Sequence, residues 1–184
     1  MSSIVIVTGA PGTSKTTLAV HLAKSRERGL HIPADIFFTF PAHPISPYAV
    51  AAHAQNTDIM VALAQTAVTF AARNYDVFLD GIFGPWFLPL VASELRPSGI
   101  PVEYLVLQAP LEEALERVRR RCGDGKDHIV RQMHVAFADL GPYANHTIDT
   151  SNRTTDELAQ EFVRRRIEGA FALDLERTIA NGAA

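Results

Sequence analysis

The stretch VTGAPGTSKTTLA, Val7 to Ala19, governs how the rest of the chain is read. Gly9, Lys15 and Thr16 keep the spacing G-x-x-x-x-G-K-[ST] of a phosphate-binding loop, with Ser14 standing where the second glycine belongs. Such a pattern carries weight only when a strand precedes it and a helix follows. Both conditions hold. Ile4–Val7 (IVIV) is a short, wholly apolar run, as a buried parallel strand requires, and Thr16 to about Arg28 reads as a helix ended by Gly29. Gly9, Ala10, Pro11 and Gly12 would bring the backbone around a phosphate, and Thr13, Ser14 and Thr17 would continue the wrap into the positive end of the helix. Lys15 would reach the β- and γ-phosphates, and the Thr16 hydroxyl would ligate Mg²⁺. If position 14 needs a positive φ, a serine there costs on the order of 1–2 kcal/mol. Serine is also the smallest polar replacement, and its hydroxyl can donate to a phosphate oxygen. A loop that kept its shape and lost its ligand is the competing reading; the strand before it and the helix after it favour a working nucleotide site.

Outward from the loop, apolar runs alternate with helical patterns. A strand at Leu30–Ile32 is stopped by Pro33, and the prolines at 41, 44 and 47 make residues 39–48 a loop. His53–Arg73 is alanine-rich and helical; Asp76–Asp80 (DVFLD) is a strand running into Gly81 and Gly84. A short helix at Trp86–Leu95, a strand at Val102–Leu107 and a helix at Leu111–Arg121 follow. CGDG breaks that helix before another at Ile129–Leu140, then come a last strand at His146–Ile148 and one long closing helix over Thr154–Ala180. Five alternations of strand and helix predict an α/β fold with a parallel sheet covered on both faces. There is no internal repeat or linker, so residues 1–184 are expected to form one domain.

The bounds agree. A chain of 184 residues can bury about 70% of its unfolded surface in one core. With 47% hydrophobic and 20% charged residues and a net charge of -3, nothing points to nucleic acid as a partner. The single cysteine, Cys122, excludes an internal disulfide and suits a reducing compartment. The four apolar residues after Ser3 cannot span a bilayer and leave no room for a charged leader, so a cytoplasmic location is expected.

Three further features bear on chemistry. Asp80 ends an apolar strand, where a carboxylate can hold a water on Mg²⁺; the competing reading is a turn-forming Asp before Gly81. No second carboxylate follows it, which weighs against an AAA-type motor and favours transfer to a hydroxyl. Asp35 stands just past the second strand, at the sheet edge where parallel α/β folds place ligands. It can orient an acceptor alcohol and take its proton, or it can merely cap the PADIFF segment. The segment RVRRRCGDGKDH resembles a lid over about 117–130, with Arg117 and Arg121, one turn apart, as its candidate catalytic arginines; a solvated helix face is the alternative.

The loop and its strand–helix context, an Asp about twenty residues after Lys15, FLDGIF at the third strand end and DTS at 149–151 together resemble the chloramphenicol phosphotransferases. These are small P-loop kinases near the shikimate kinases and zeta toxins. The likeness runs over nearly the whole chain. It implies a three-layer P-loop NTPase fold with a five-stranded parallel sheet and a small lid, ATP and Mg²⁺ as cofactors, and Asp35 as the base. The chain departs from that pattern at Ser14, at Cys122 where an arginine is expected before GD, and in having one Asp at the strand end.

An acceptor should meet the segments beyond the carboxyl edge of the sheet, which are rich in aromatics. Phe37, Phe83 and Trp86 are the candidate contacts, with Phe38, Phe40, Tyr48 and Phe87 nearby and His43, His53, Gln55, Asn56 and His134 interleaved. Residues 37–60 hold no arginine, so a highly charged sugar phosphate is disfavoured. Catalytic roles are expected of Lys15, Asp35, Arg117 and Arg121, and metal contacts of Thr16 and Asp80. The expected function is an ATP-dependent O-phosphotransferase acting on a small, partly apolar alcohol such as an antibiotic or metabolite. The alternative is a nucleotide-binding protein without transfer activity. Oligomeric state is not legible.

Overall fold

A computed structural model describes residues 2–182. Five strands, β1 (Ile4–Thr8), β2 (Gly29–Pro33), β3 (Asp76–Asp80), β4 (Val102–Gln108) and β5 (Thr147–Asp149), form one all-parallel sheet in the order β2-β3-β1-β4-β5. Every residue of β1 is buried, because the strand is central and covered on both faces. Side chains alternate across a strand. Ile4 and Ile6, with Val77, Leu79, Tyr104 and Val106, fill one layer, while Val5 and Val7, with Phe78, Leu105 and Leu107, fill the other.

The first layer is closed by α3 (His53–Ala71), through Ile59, Leu63 and Ala67 at four-residue spacing, and by α4 (Leu88–Leu95), through Leu88, Val91 and Leu95. The second is closed by α1 (Lys15–Lys24), through Leu18 and Leu22, and by α7 (Thr155–Ile167), through Leu158 and Phe162. Two helices stand apart. α5 (Leu111–Cys122) and α6 (Asp127–Ala136) share their own small cluster of Ala114, Leu115, Val118 and Val130.

Three expectations are corrected. α1 ends at Lys24, and Gly29 belongs to β2, where a Cβ would lie 1.9 Å from the Ala23 carbonyl oxygen. Asp35, read as standing just past the second strand, lies inside a one-turn helix, α2 (Ala34–Phe37), whose N-cap is Pro33. The long closing helix is two: α7 stops before Gly169 (φ +75°), and α8 (Leu175–Asn181) begins after an extended stretch. The sheet causes that break. β5 pairs only with Val106–Gln108, so the front of β4 has unpaired backbone groups. The segment around Ala172 fills the gap antiparallel to it, with Tyr104 N–H donating to Phe171 O (2.8 Å) and Leu173 N–H to Val102 O (2.9 Å). Phe171 is thereby buried against Phe162, ring centroids 5.4 Å apart.

Candidate active site

The loop after β1 is shaped by two glycines in the left-handed half of φ space. A Cβ on Gly9 (φ +139°) would lie 2.2 Å from Leu107 O, and one on Gly12 (φ +88°) 2.4 Å from Ala114 O. Ser14 has φ 65° and ψ 21°, so the position lacking its glycine keeps the left-handed conformation and bears the strain of a Cβ. The Ser14 side chain makes no cap bond to α1. Thr13 Oγ1 and Lys15 Nζ both donate to Ala10 O, at 2.8 and 2.9 Å, and tie the loop from inside. The backbone N–H groups of Gly12, Thr13 and Ser14 donate to no partner among the described residues, which is the condition in which a loop can receive an anion.

Lys15 is half-buried, with its ammonium drawn against the Ala10 carbonyl. Desolvation therefore brings its pKa down from 10.5 to about 8, against the opposing pull of the Asp80 and Asp35 carboxylates; Arg121 adds to the lowering. These groups converge on one polar cavity of about 160 Å³, whose walls include Ser14, Lys15, Thr16, Asp35, Asp80 and Arg121. Lys126 also lines it and was not singled out in the sequence.

Asp80 is 4% exposed at the end of β3. Its Oδ2 lies 3.4 Å from His31 Nε2, and its Oδ1 is buried without a partner. It makes no bond to the turn at Gly81. A buried orphan carboxylate oxygen in the same cavity as the Thr16 hydroxyl fits a hard cation that also takes phosphate and water oxygens. No cluster of three or more His, Cys, Asp or Glu among the described residues could hold a metal without such help. His31 was missed because nothing local in β2 marks it; only the pairing of β2 with β3 brings it to Asp80.

Asp35 is exposed, in the first turn of α2, and its carboxylate has no hydrogen-bond partner among the described residues, so it does not serve as a cap. It is shared by two cavities. The second, of about 290 Å³, is mostly apolar, with Phe38, Met60, Trp86, Phe87 and Met133 in its walls. Tyr48 and Ile82 border both cavities too. Burial raises the Tyr48 pKa, and the Asp35 charge raises it further.

The aromatic assignments divide. Trp86 lines the apolar cavity at 46% exposure. Phe37 does not; it packs on Phe40 at 5.1 Å, and its neighbour Phe38 takes the place expected of it. Phe83 is wholly buried, its N–H donating to Thr8 Oγ1 and its carbonyl accepting from Tyr104 Oη, both at 2.8 Å, so it cannot touch an acceptor. A sequence signal existed: Phe83 continues the two-residue period of Val77 and Leu79 toward the core, whereas Ile82 faces the cavities.

The two arginines also separate. Arg117 is a strut, donating to Gly12 O (3.2 Å), to Thr150 Oγ1 and O (3.0 Å each) and to Glu113 Oε1. It ties the phosphate loop to the end of β5 and does not line the polar cavity, although with Arg121 it borders another, more open one beside Gly12, Ser14 and Thr17. Arg121, four residues on, lines both. Past it the chain turns at Gly123 (φ +77°), and Arg119 pairs with Asp127 across the break.

Residues 4–140 match a protein family described as an AAA domain. No curated protein matches the sequence. Solved structures with the same fold include the tunicamycin resistance protein of Deinococcus radiodurans, at 23% identity over 90% of this chain and 96% of that one, TM-score 0.65. Shikimate kinase from Acinetobacter baumannii, in complex with shikimate, aligns at 16% identity over 92% and 95%, TM-score 0.63. The APS kinase of Mycobacterium tuberculosis, in complex with AMPPNP and APS, aligns at 18% over 89% and 96%, TM-score 0.62. At these identities the likeness shows the fold, which is that of small P-loop kinases. No helix among the described residues is long and apolar enough to cross a membrane.

Proposed function

The chain belongs to the AAA domain family, and on that premise we propose that it is an ATP-dependent kinase acting on a hydroxyl of a small, partly apolar molecule, such as an antibiotic or a related metabolite. The observation that carries the proposal is the shared wall: the unpartnered carboxylate of Asp35 borders both the phosphate-loop cavity and the apolar cavity. A protein that only bound nucleotide would have no use for a carboxylate there.

In this reading the backbone N–H groups of Gly12–Ser14 and the Lys15 ammonium hold the β- and γ-phosphates, and the acceptor lies against Trp86 and Phe38. Asp35 orients the acceptor hydroxyl and takes its proton as the new O–P bond forms and the bond to the leaving ADP breaks. Thr16 and Asp80 would hold Mg²⁺, which when bound neutralises charge on the phosphate oxygens. Of residues 117–130, the part beyond Gly123 acts as the moving lid, while Arg121 faces the γ-phosphate from the fixed end of α5 and Arg117 serves by fixing Gly12. The chain acts as a single domain.

The experiment is a mass-shift screen of neutral hydroxylated compounds with Mg-ATP, followed by Asp35→Asn on any compound that gains a phosphoryl group. The kcat should fall by roughly 10²–10⁴ while nucleotide affinity stays within a few-fold, as expected for a lost general base. An unchanged kcat would remove Asp35 from the chemistry. Nucleotide binding with no transfer to any acceptor would favour a binding protein.

A further inference from the structure

Transfer chemistry leaves three polar residues of the apolar cavity unused, Tyr48, Gln132 and Asn56, and of these Asn56 is the one with a buried side-chain atom that lacks a partner among the described residues. Asn56, in the first turn of α3, is 9% exposed and forms part of the cavity wall. Its Nδ2 donates to Pro47 O at 2.8 Å, which fixes the amide orientation, since the flipped amide would set oxygen against oxygen. Its Oδ1 is then buried and has no partner among the described residues.

Its surroundings narrow what could satisfy that oxygen. Among the described residues no lysine, arginine or histidine lines the cavity, and the ionisable groups in its walls are Asp35 and Tyr48. Met60, Phe38, Trp86, Phe87 and Met133 give it apolar walls. Next to Asn56, Gln55 holds the proline-rich loop by two bonds, accepting from Ile45 N–H and donating to Ile45 O, each at 2.8 Å. The wall is thus fixed to α3 at consecutive residues, and Asn56 is pinned where it lies. A buried acceptor left without a donor in such a place is destabilising, because it has given up its hydrogen bonds to water and gained none in return.

Resting on the kinase reading, we propose that Asn56 is a specificity determinant. The acceptor molecule is uncharged and carries, besides the hydroxyl directed to Asp35, a second hydrogen-bond donor received by Asn56 Oδ1, with an apolar body lying against Phe38, Trp86 and Met133. Anionic acceptors are rejected because no cation meets them and Asp35 repels them. An alcohol whose second donor is blocked loses affinity because it buries the amide oxygen unpaired.

The test reads binding alone, so it is independent of whether phosphoryl transfer occurs. Trp86 is the sole tryptophan and lines the cavity, so its fluorescence reports occupancy. Styrene glycol, its mono-O-methyl ethers and mandelate are titrated into the full chain without nucleotide. The glycol should bind at least about fivefold more tightly than either ether, and mandelate should bind most weakly. Asn56→Leu should erase the preference for the glycol. Asn56→Asp, which keeps an acceptor but loses the bond to Pro47 O, should retain it; circular dichroism confirms that both variants fold. Equal binding of glycol and ethers by the wild type would overturn the proposal and assign Oδ1 to a bound water. Loss of the preference in Asn56→Asp as well would reduce Asn56 to a pin for the loop. No binding of any probe would show that the cavity does not take this class. A protein that binds and discriminates but transfers no phosphoryl group would defeat the kinase reading and leave Asn56 its role.

Discussion

Replacing Ser14 with glycine separates strain in the fold from strain in binding. Ser14 adopts the left-handed conformation with no ligand present, at φ 65° and ψ 21°. Removing its Cβ should release about 1–2 kcal/mol. Against this, glycine gives the unfolded chain more freedom, worth about 0.5–1 kcal/mol. The N-cap position adds little to either side, because the serine hydroxyl makes no cap bond to lose. The difference is a stabilisation of between about zero and 1.5 kcal/mol, which for a chain of this size raises Tm by up to about 5 °C. Nucleotide affinity should hardly move, within about threefold, since free and bound protein carry the same strain and a difference common to both states cancels. Scanning calorimetry gives the first quantity, and titration calorimetry with Mg²⁺ and a non-hydrolysable ATP analogue gives the second. A lower Tm would refute the strain argument. A tenfold gain in affinity would mean that the free loop rests in another conformation and is strained only on binding. A comparable loss would mean that the hydroxyl is itself a phosphate ligand.

Other outcomes follow from the same geometry. Lys15 has its pKa lowered to about 8, below its unfolded value, so the unfolded chain holds more protons between about pH 8 and 10.5. The folded protein should therefore gain stability across that window relative to Lys15→Met, by denaturant titration. Affinity for ATP should instead fall as pH rises above about 8, because phosphate needs the ammonium, and this part of the fall should be missing in the variant. Phe83→Ala should cost about 3–5 kcal/mol of stability, the usual loss for a buried phenylalanine. Trp86→Ala, at a cavity wall, should leave Tm nearly unchanged and raise KM for the acceptor; the reverse pattern would exchange the two roles. Arg117→Ala should lower Tm and weaken nucleotide binding together, because it frees Gly12 from Thr150; a fall in kcat alone would return Arg117 to the chemistry.

The sheet was legible because its signals are local. IVIV, DVFLD and VEYLVL are apolar runs bounded by turn residues, and the spacing of Gly9, Lys15 and Thr16 needs no distant partner to be recognised. Asp80 was legible as a strand-end carboxylate, and Asp35 as one just past a strand, for the same reason. The break inside residues 154–180 was not, since a helical period continues through it; the unpaired front of β4, some 70 residues away, draws Phe171–Leu173 out of the helix.

What the amino-acid sequence determined by itself is the order of the five strands, the phosphate loop and the aromatic-rich character, without lysine or arginine, of residues 34–60 beyond the second strand, all set by side-chain period and turn chemistry within a few residues. Tertiary structure alone decided which of those side chains meet. It sent Phe83 into the core and Ile82 to the cavities, made Arg117 a strut and set Arg121 in the wall of the polar cavity. It brought His31 to Asp80 and set Asn56 against Pro47. Each of these depends on the register of the parallel strands and on helices crossing above them, and those positions are fixed by packing between residues far apart in the chain.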